Sequence, residues 1–472
     1  MSDALTRTID LGTAIETQTD GRYSSLILVL CCAAMAVEGY DAQVVAYAAP
    51  AIIRDWQIDK AYFGPVFSAA LFGYMIGATF LSGISDRIGR QRTLVIGNIV
   101  FGLLTIASAF ATTIPVLLVL RFMAGLGLGC SIPSVMALGV EYAAQRRRAF
   151  RVSVLFVGYT LGAALGGFVT AALMAQFGWR SAFYFGGFGS LVIALVAYAF
   201  MPESVRFLAI KNLNDPRIAI IMKKLRPDLG VGPATRFSAT EENAQAGLPV
   251  THLFTDQRAL LTSLLWLSFI LSLTGHHFLT SWLPTVLDGN GVPLAHAVVA
   301  GALIQFGGAA GSLIVGRSLD RVGIIAIALS FVLAIPFVVL IGAHSMPEPQ
   351  LMAVIFLAGL FLLGGQVGLN ALAGTVYPTF IRSTGAGWAL GVGRVGSILG
   401  PAIGGVLITL KLSMPMLFIC AAIPVACCAA TVFLLRGVVG SDALAGRSQD
   451  DEITADGAVA NIGSIPLPSS RP

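Results

Sequence analysis

The sequence predicts an all-α polytopic membrane protein, with twelve transmembrane helices in two pseudo-symmetric six-helix bundles. Three observations lead there. Charge is scarce: 11% of the 472 residues are charged and 56% are hydrophobic, against roughly 25% charged in soluble domains. Apolar runs of about 18 residues or more, each long enough to cross ~30 Å of hydrocarbon, recur along almost the whole chain. Short motifs also recur at matching places in the two halves. A soluble chain so poor in charge could not cover its surface with polar groups, so the apolar residues must face lipid. The 53 glycines fit this reading, because small residues let membrane helices approach closely.

The spans fall at residues 24–50, 62–83, 93–111, 114–139, 150–173, 180–200, 259–287, 296–316, 323–342, 350–376, 383–408 and 414–436. They are unbroken apolar runs without period-two alternation, which excludes a membrane barrel. Several exceed ~20 residues, which implies tilt or extension beyond the hydrocarbon. Residues 1–23 read as a polar N-terminal tail, 24–200 as the first bundle and 259–436 as the second. Between them, 201–258 is a charged linker holding Pro216, Pro227, Pro233 and Pro249. Residues 437–472 are polar and rich in small residues, the composition of a disordered tail. The N-terminus lacks the basic start, short apolar run and cleavage site of a signal peptide, so the first helix is expected to enter the membrane uncleaved.

Orientation follows from the 29 Lys and Arg residues. If the N-terminus is cytoplasmic, the outer loops hold only Arg54, Lys60, Arg180 and Lys411, while Arg121 and Arg394 fall within spans. All the others, including Arg87, Arg90, Arg92, Arg146, Arg147, Arg148, Arg151, Arg317 and Arg321, lie on the inner side. That asymmetry predicts a multi-pass protein of the cell inner membrane with both termini cytoplasmic. Trp56, Trp179 and Trp282, near span ends, read as interface anchors.

Cys31, Cys32, Cys130, Cys420, Cys427 and Cys428 all sit in apolar runs without metal-ligand spacing, so they read as buried small residues and not as a disulfide framework. No phosphate-binding Gly-rich loop, metal cluster or nucleophile with a His base is present, which argues against an enzyme and against a self-contained ATP-driven pump. No cofactor, metal or nucleic-acid partner is expected. The lipid bilayer is the surrounding partner, and a monomer is the expected functional unit.

Ser85-Asp86-Arg87-Ile88-Gly89 after the second span is echoed by Leu319-Asp320-Arg321-Val322-Gly323 after the eighth. Leu161-Gly162-Ala163-Ala164-Leu165-Gly166-Gly167 in the fifth is echoed by Leu399-Gly400-Pro401-Ala402-Ile403-Gly404-Gly405 in the eleventh. Such internal repeats mark secondary transporters whose site lies between the halves near the midplane. The duplication favours alternating access over a channel.

The stretch from Gly83 through Asp86 and Arg90 to Arg92 resembles the loop signature of the major facilitator superfamily, and Pro202-Glu203-Ser204-Val205-Arg206 resembles another of its elements. Glu38-Gly39-Tyr40-Asp41, followed by Ala48-Ala49-Pro50, resembles the first-span motif of the aromatic acid:proton symporters, as does Tyr377-Pro378-Thr379-Phe380-Ile381-Arg382 leading to Arg394. The sequence departs from many members in having Glu38 where they have Asp. The resemblance implies uptake of a small aromatic carboxylate (hydroxybenzoate, benzoate or hydroxyphenylpropanoate type) together with protons. Export of a drug or organic anion by proton exchange on the same fold is the alternative.

The chemistry rests on charges inside the membrane. One charged side chain at mid-bilayer costs ~2.5–3.5 kcal/mol, so Glu38, Asp41, Arg121 and Arg394 together cost on the order of 10 kcal/mol unless paired or hydrated. At ~1.5 Å per residue, Glu38 and Asp41 lie ~18 and ~22 Å above the inner edge, and Arg394 lies level with Glu38. Arg121, ~9 Å below the outer edge, is close to the level of Asp41. Asp41 is assigned as the proton-coupling carboxylate with Glu38 assisting, since burial and a neighbouring carboxylate both favour a protonated carboxyl. Arg394 is assigned to the substrate carboxylate, because its planar fork matches that group. Arg121 is expected to hold Asp41 or to bind the anion. Tyr40, Tyr47, Tyr159, Gln305, Phe306 and Trp388 are expected around an aromatic substrate, and His276 and His277 as a proton relay. Asp86, Arg90 and Glu141, with Asp320 and Arg321 as a weaker counterpart, are expected to form a gate network that biases two conformations.

Overall fold

The computed structural model describes residues 8–18, 21–81, 83–144, 147–232, 235–238, 250–255, 258–343, 346–377 and 381–439. Among the described residues, twelve long apolar helices carry the fold. In the first half these are α1 (Arg22–Trp56), α2 (Phe63–Ile76, continued as a wider π turn over Gly77–Leu81), α3 (Arg90–Ser108), α4 (Ile114–Glu141), α5 (Arg148–Phe177) and α6 (Arg180–Phe200). In the second they are α7 (Ala259–Gly289), α8 (Leu294–Val322), α9 (Ile325–Ile341), α10 (Glu348–Ala373), α11 (Arg382–Thr409) and α12 (Met414–Val439). Eleven of these spans exceed the length and hydropathy needed to cross a bilayer, and α9 is a shorter apolar helix. The end of the bundle bearing Arg22 and the short helices Val205–Lys211 and Pro216–Leu225 is the proximal end, and the end bearing Trp56 and Gly289 the distal end.

The halves repeat one packing pattern. α1 packs on α5, α2 on α4, and α3 on α4 and α6; correspondingly α7 packs on α11, α8 on α10, and α9 on α10 and α12. Lipid tails give no hydrophobic drive for helices to associate, so close contact of small residues carries the packing. The repeated Gly motif shows how. In α5, Gly162 lies against the Ala36 backbone, Gly166 against the Tyr40 ring, and Gly167 against Ala302 of the other half. In α11, Gly400 lies against the Thr274 carbonyl, Gly404 against the Trp282 ring, and Gly405 against Gly64 of the other half. Each motif therefore binds the first helix of its own bundle and one helix of the opposite bundle.

Contact between the halves is concentrated distally. Ser68 donates to the Ile398 carbonyl (2.9 Å). Phe67 meets Trp282 edge to face at 5.1 Å. Arg54 pairs with Asp288. Trp282 is 1% exposed and donates its indole N–H to the Pro401 carbonyl, so it is an inter-half packing residue and not the interface anchor expected from its place near a span end. Trp179 is likewise buried and donates to Asp55 (3.0 Å). Cys427 is exposed, unlike the buried Cys31 and Cys428.

The stripe of α11 that meets α2 runs through Gly405, Pro401, Ile398 and Arg394 at helical spacing. Continued proximally, it reaches Gly391 and Gly387, which face open space. Among the described residues α4 and α10, which flank this gap, are not packed on each other. A cleft between the halves thus opens at the proximal end and closes at the distal end.

The N-terminal segment expected as a tail is docked. Thr8–Asp10 pairs in parallel with Arg236–Ser238 of the linker. The short helix Leu11–Glu16, capped by Asp10, buries Leu11, Ala14 and Ile15 against the proximal end of the first half. The linker also holds the helices Val205–Lys211 and Pro216–Leu225. The disordered tail expected at 437–472 lies outside the described residues beyond Val439.

Candidate functional site

Asp41 and Arg121 are both buried and form an ion pair at 3.4 Å. Asp41 also accepts from the Thr105 hydroxyl (3.1 Å). Arg121 donates to Ser108 (2.7 Å), Thr105 (3.2 Å) and the Leu104 carbonyl (3.3 Å), and lies over the Phe183 ring. Its donors are met by protein groups, so the structure places it as a partner of Asp41 and not as an open anion ligand. Thr105 and Ser108 belong to α3, and Gly186 of α6 is close to the Asp41 carboxylate. Asp41 therefore points into the first bundle, away from the cleft.

Glu38, one turn earlier, points elsewhere. One of its oxygens accepts from Ser131 of α4 (2.8 Å), and Ser131 in turn accepts from Asn98 of α3 (2.9 Å). The other carboxylate oxygen is buried without a partner, and no cation pairs with Glu38 among the described residues. Ala42, one turn beyond Glu38, is exposed although residues 43–50 are all buried. Glu38 lies one turn from this exposed position on the same face of α1 and is itself fully buried.

Tyr40 does not line the cleft. Its hydroxyl is held by Thr170 and the Ala182 carbonyl (both 2.8 Å), and its ring fills the space over Gly166 and Gly186 inside the first bundle. The tight motif at Glu38-Gly39-Tyr40-Asp41 has a steric reason: a Cβ on Gly39 would collide with the Tyr159 carbonyl of α5. Tyr47 is buried at the seam between α5 and α8, with its hydroxyl on the Ala163 carbonyl.

Arg394 of α11 is half-buried in the cleft. It lies over the Tyr74 ring at 4.5 Å and donates to the Tyr74 hydroxyl (3.3 Å), a residue of the opposite half. Among the described residues it has no carboxylate partner, in contrast to Arg121. Tyr159 of α5 is half-buried, with its backbone carbonyl against Gly39 of α1. Gln305 of α8 is buried one turn from Gly301 and Ala302, the residues that meet Tyr47 and Gly167 of the first half, and it faces the same way. His276 and His277 stack at 4.8 Å on α7. Trp388 departs from expectation. It shares the exposed apolar stripe of α11 with Val395, Leu399, Ile403 and Val406, stacked on Trp266, and faces away from the Arg394 stripe. Phe306 is likewise exposed, beside Phe356.

The gate residues divide. Arg90 pairs with Glu141 and donates to Ser204 (3.2 Å). Glu203 accepts from the backbone N–H groups of Arg90 (2.8 Å) and Gln91 (3.1 Å), a carboxylate at the positive start of α3. Tyr142 donates to the Glu203 carbonyl (2.6 Å). Asp86 is exposed beside this cluster, and Arg321 is exposed at the proximal end of α8. The Asp320 side chain and all of Arg146 lie outside the described residues. Sequence reasoning missed Tyr74, Ser131, Asn98, Thr105 and Ser108 as partners of the buried charges. The signal was available in the polar stripe Asn98–Thr105–Ser108, which repeats at helical spacing along an apolar span.

Residues 31–347 match the family signature of the Major Facilitator Superfamily. The chain belongs to that superfamily. It is a multi-pass membrane transporter and not an enzyme. Among its relatives, the 4-hydroxybenzoate transporter PcaK of Acinetobacter baylyi is 37% identical, over 89% of this chain and 93% of that one. The gallate transporter of Pseudomonas putida is 36% identical, over 91% and 95%. The fold matches the xylose transporter XylE of E. coli, in a partially occluded inward open conformation, with a TM-score of 0.67 at 16% identity, covering 87% of this chain and 97% of that one.

Proposed function

We propose that this transporter imports a small aromatic carboxylate of the hydroxybenzoate, benzoate or hydroxyphenylpropanoate type together with protons, by alternating access. One observation carries the reading: Arg394 presents a cation to the cleft with an aromatic ring beneath it and, among the described residues, no carboxylate to neutralise it. A guanidinium fork accepts a carboxylate in two parallel hydrogen bonds, and the Tyr74 ring offers a flat apolar wall beside it. The aromatic acids named for the 4-hydroxybenzoate and gallate transporters have that combination of charge and ring.

Of the two acidic residues of α1, Glu38 is the better proton carrier in this reading. Asp41 has its charge answered by Arg121. Glu38 has a hydroxyl partner and one oxygen without any, one turn from the exposed Ala42. A carboxyl at this depth with no cation beside it is neutralised most cheaply by a proton. Asp41 then acts through Arg121 by fixing the geometry of the first bundle. The proximal end is cytoplasmic by its excess of Lys and Arg, and Arg90, Glu141 and Glu203 bias the closure of that end.

Uptake of radiolabelled 4-hydroxybenzoate into proteoliposomes, with and without an imposed pH gradient, tests the proposal. Stimulation by an inside-alkaline gradient supports symport. Extrusion of the acid under that gradient would replace import with proton exchange, and indifference to any gradient would remove proton coupling altogether.

A further inference from the structure

α7 carries polar groups that the carboxylate site and the proton site leave unused. His276 Nδ1 is buried with no protein partner, and so is the hydroxyl of Thr280, one turn further along the same face. One turn earlier on that face, Ser272 donates to Gln366 (2.5 Å), and Gln366 donates to Asn370 (3.2 Å). The lower end of the stripe is thus satisfied by α10, while its upper end is not. A neutral imidazole holds one donor and one acceptor nitrogen, and stacking of His276 on His277 at 10° fixes the plane in which they point. A buried polar atom without a partner is destabilising, and a ligand that supplies the partner recovers that loss.

The stripe also stands at a useful distance from Arg394. Gly396 lies against the Ile270 carbonyl and Gly400 against the Thr274 carbonyl, so α7 and α11 run side by side with His276 level with Ala402. That is eight residues beyond Arg394, or ~12 Å of helix rise. That rise, less the reach of the two side chains, is on the order of the length of one substituted benzene ring.

We propose that His276, oriented by His277 and joined by Thr280, forms a second subsite that receives a ring hydroxyl of the substrate whose carboxylate Arg394 holds. The transporter therefore selects hydroxylated aromatic acids over the unsubstituted acid. This inference rests on the reading of the chain as an aromatic-acid carrier. A phenol can donate to one imidazole nitrogen or accept from the other, so the pair reads a hydroxyl without any change of charge. A site built to hydrogen-bond a hydroxyl discriminates against the analogue that lacks it, because its own buried polar atom is then left unpaired.

The test is equilibrium binding to the full-length protein in proteoliposomes of benzoate, 4-hydroxybenzoate and 3,4-dihydroxybenzoate, for the wild type, His276→Leu, His276→Gln and Arg394→Ala. The wild type should favour at least one hydroxylated acid over benzoate by about tenfold. His276→Leu should erase that preference while holding benzoate affinity within about threefold, and His276→Gln, which keeps a donor and an acceptor, should retain part of it. Arg394→Ala should weaken all three acids alike. Equal loss of benzoate and hydroxybenzoate binding in both His276 variants would overturn the subsite, as would a wild type that does not distinguish them. Failure of the wild type to bind any of the three acids would instead overturn the carrier reading on which the subsite rests.

Discussion

Arg121 reaches Asp41 across 3.4 Å inside the first bundle, and that pairing withdraws both charges from the cleft. Arg394 in the cleft and the fully buried Glu38 have no ionic partner among the described residues. Two of the four intramembrane charges therefore hold the first bundle together, and the other two lack an ionic partner there.

Removing one member of the buried pair should cost stability before it costs chemistry. Asp41→Asn leaves the Arg121 guanidinium buried and uncompensated, and loss of one partner of such a pair costs about 3–5 kcal/mol. Thermal unfolding of the detergent-solubilised protein should show a clear drop in midpoint. Asp41→Asn combined with Arg121→Gln should recover part of it. An Asp41→Asn protein of wild-type stability that has lost only its pH response would return the proton-carrying role to Asp41.

Glu38→Gln should separate binding from coupling. The amide preserves size and the contact with Ser131, but cannot exchange a proton. Substrate binding should survive within a few-fold, while stimulation of uptake by a pH gradient disappears. Glu38→Asp should keep some stimulation, since a shorter carboxyl remains. Parallel binding and uptake measurements decide this.

Arg394→Lys tests recognition by the guanidinium fork. A lysine keeps the charge but loses the planar pair of donors and the stacking on Tyr74. Hydrogen bonds to charged groups contribute about 1.5–3 kcal/mol, so substrate affinity should fall about tenfold to a hundredfold. Stability should hardly change, because no protein carboxylate loses its partner.

Arg54 and Asp288 join the halves distally, with Arg54 largely exposed. Exposed ion pairs contribute little, so Arg54→Ala should move the balance of open and closed distal states by no more than about fivefold. Spin labels at the distal ends of α1 and α7 should report a larger population of long distances, and high salt should mimic the substitution in the wild type.

Leu11 tests the docked N-terminal segment. It is 3% exposed, in a core shared with Leu138, Val205 and Met222. Leu11→Ala should cost about 2–5 kcal/mol if the segment folds as part of the first half. An unchanged unfolding midpoint would show that the segment contributes nothing to stability.

The amino-acid sequence by itself determined the helical spans and their division into two halves. These follow from apolar run length and from the long charged break between the sixth and seventh spans, both of which are local quantities. The repeated Gly motifs also announced where helices touch. Only the tertiary structure decided which way each charge faces. Glu38 and Asp41 are three residues apart on α1, separated by about 60° around the helix, and that angle sends one to Ser131 of α4 and the other to Arg121 and Thr105. Trp388 and Tyr40 were misplaced in the substrate site for the same reason. Their chemistry suits an aromatic ligand, but Trp388 lies on the outer stripe of α11 and Tyr40 is enclosed by Gly166 and Gly186. A helix presents every residue to some direction, and the neighbour met in that direction comes from another part of the chain.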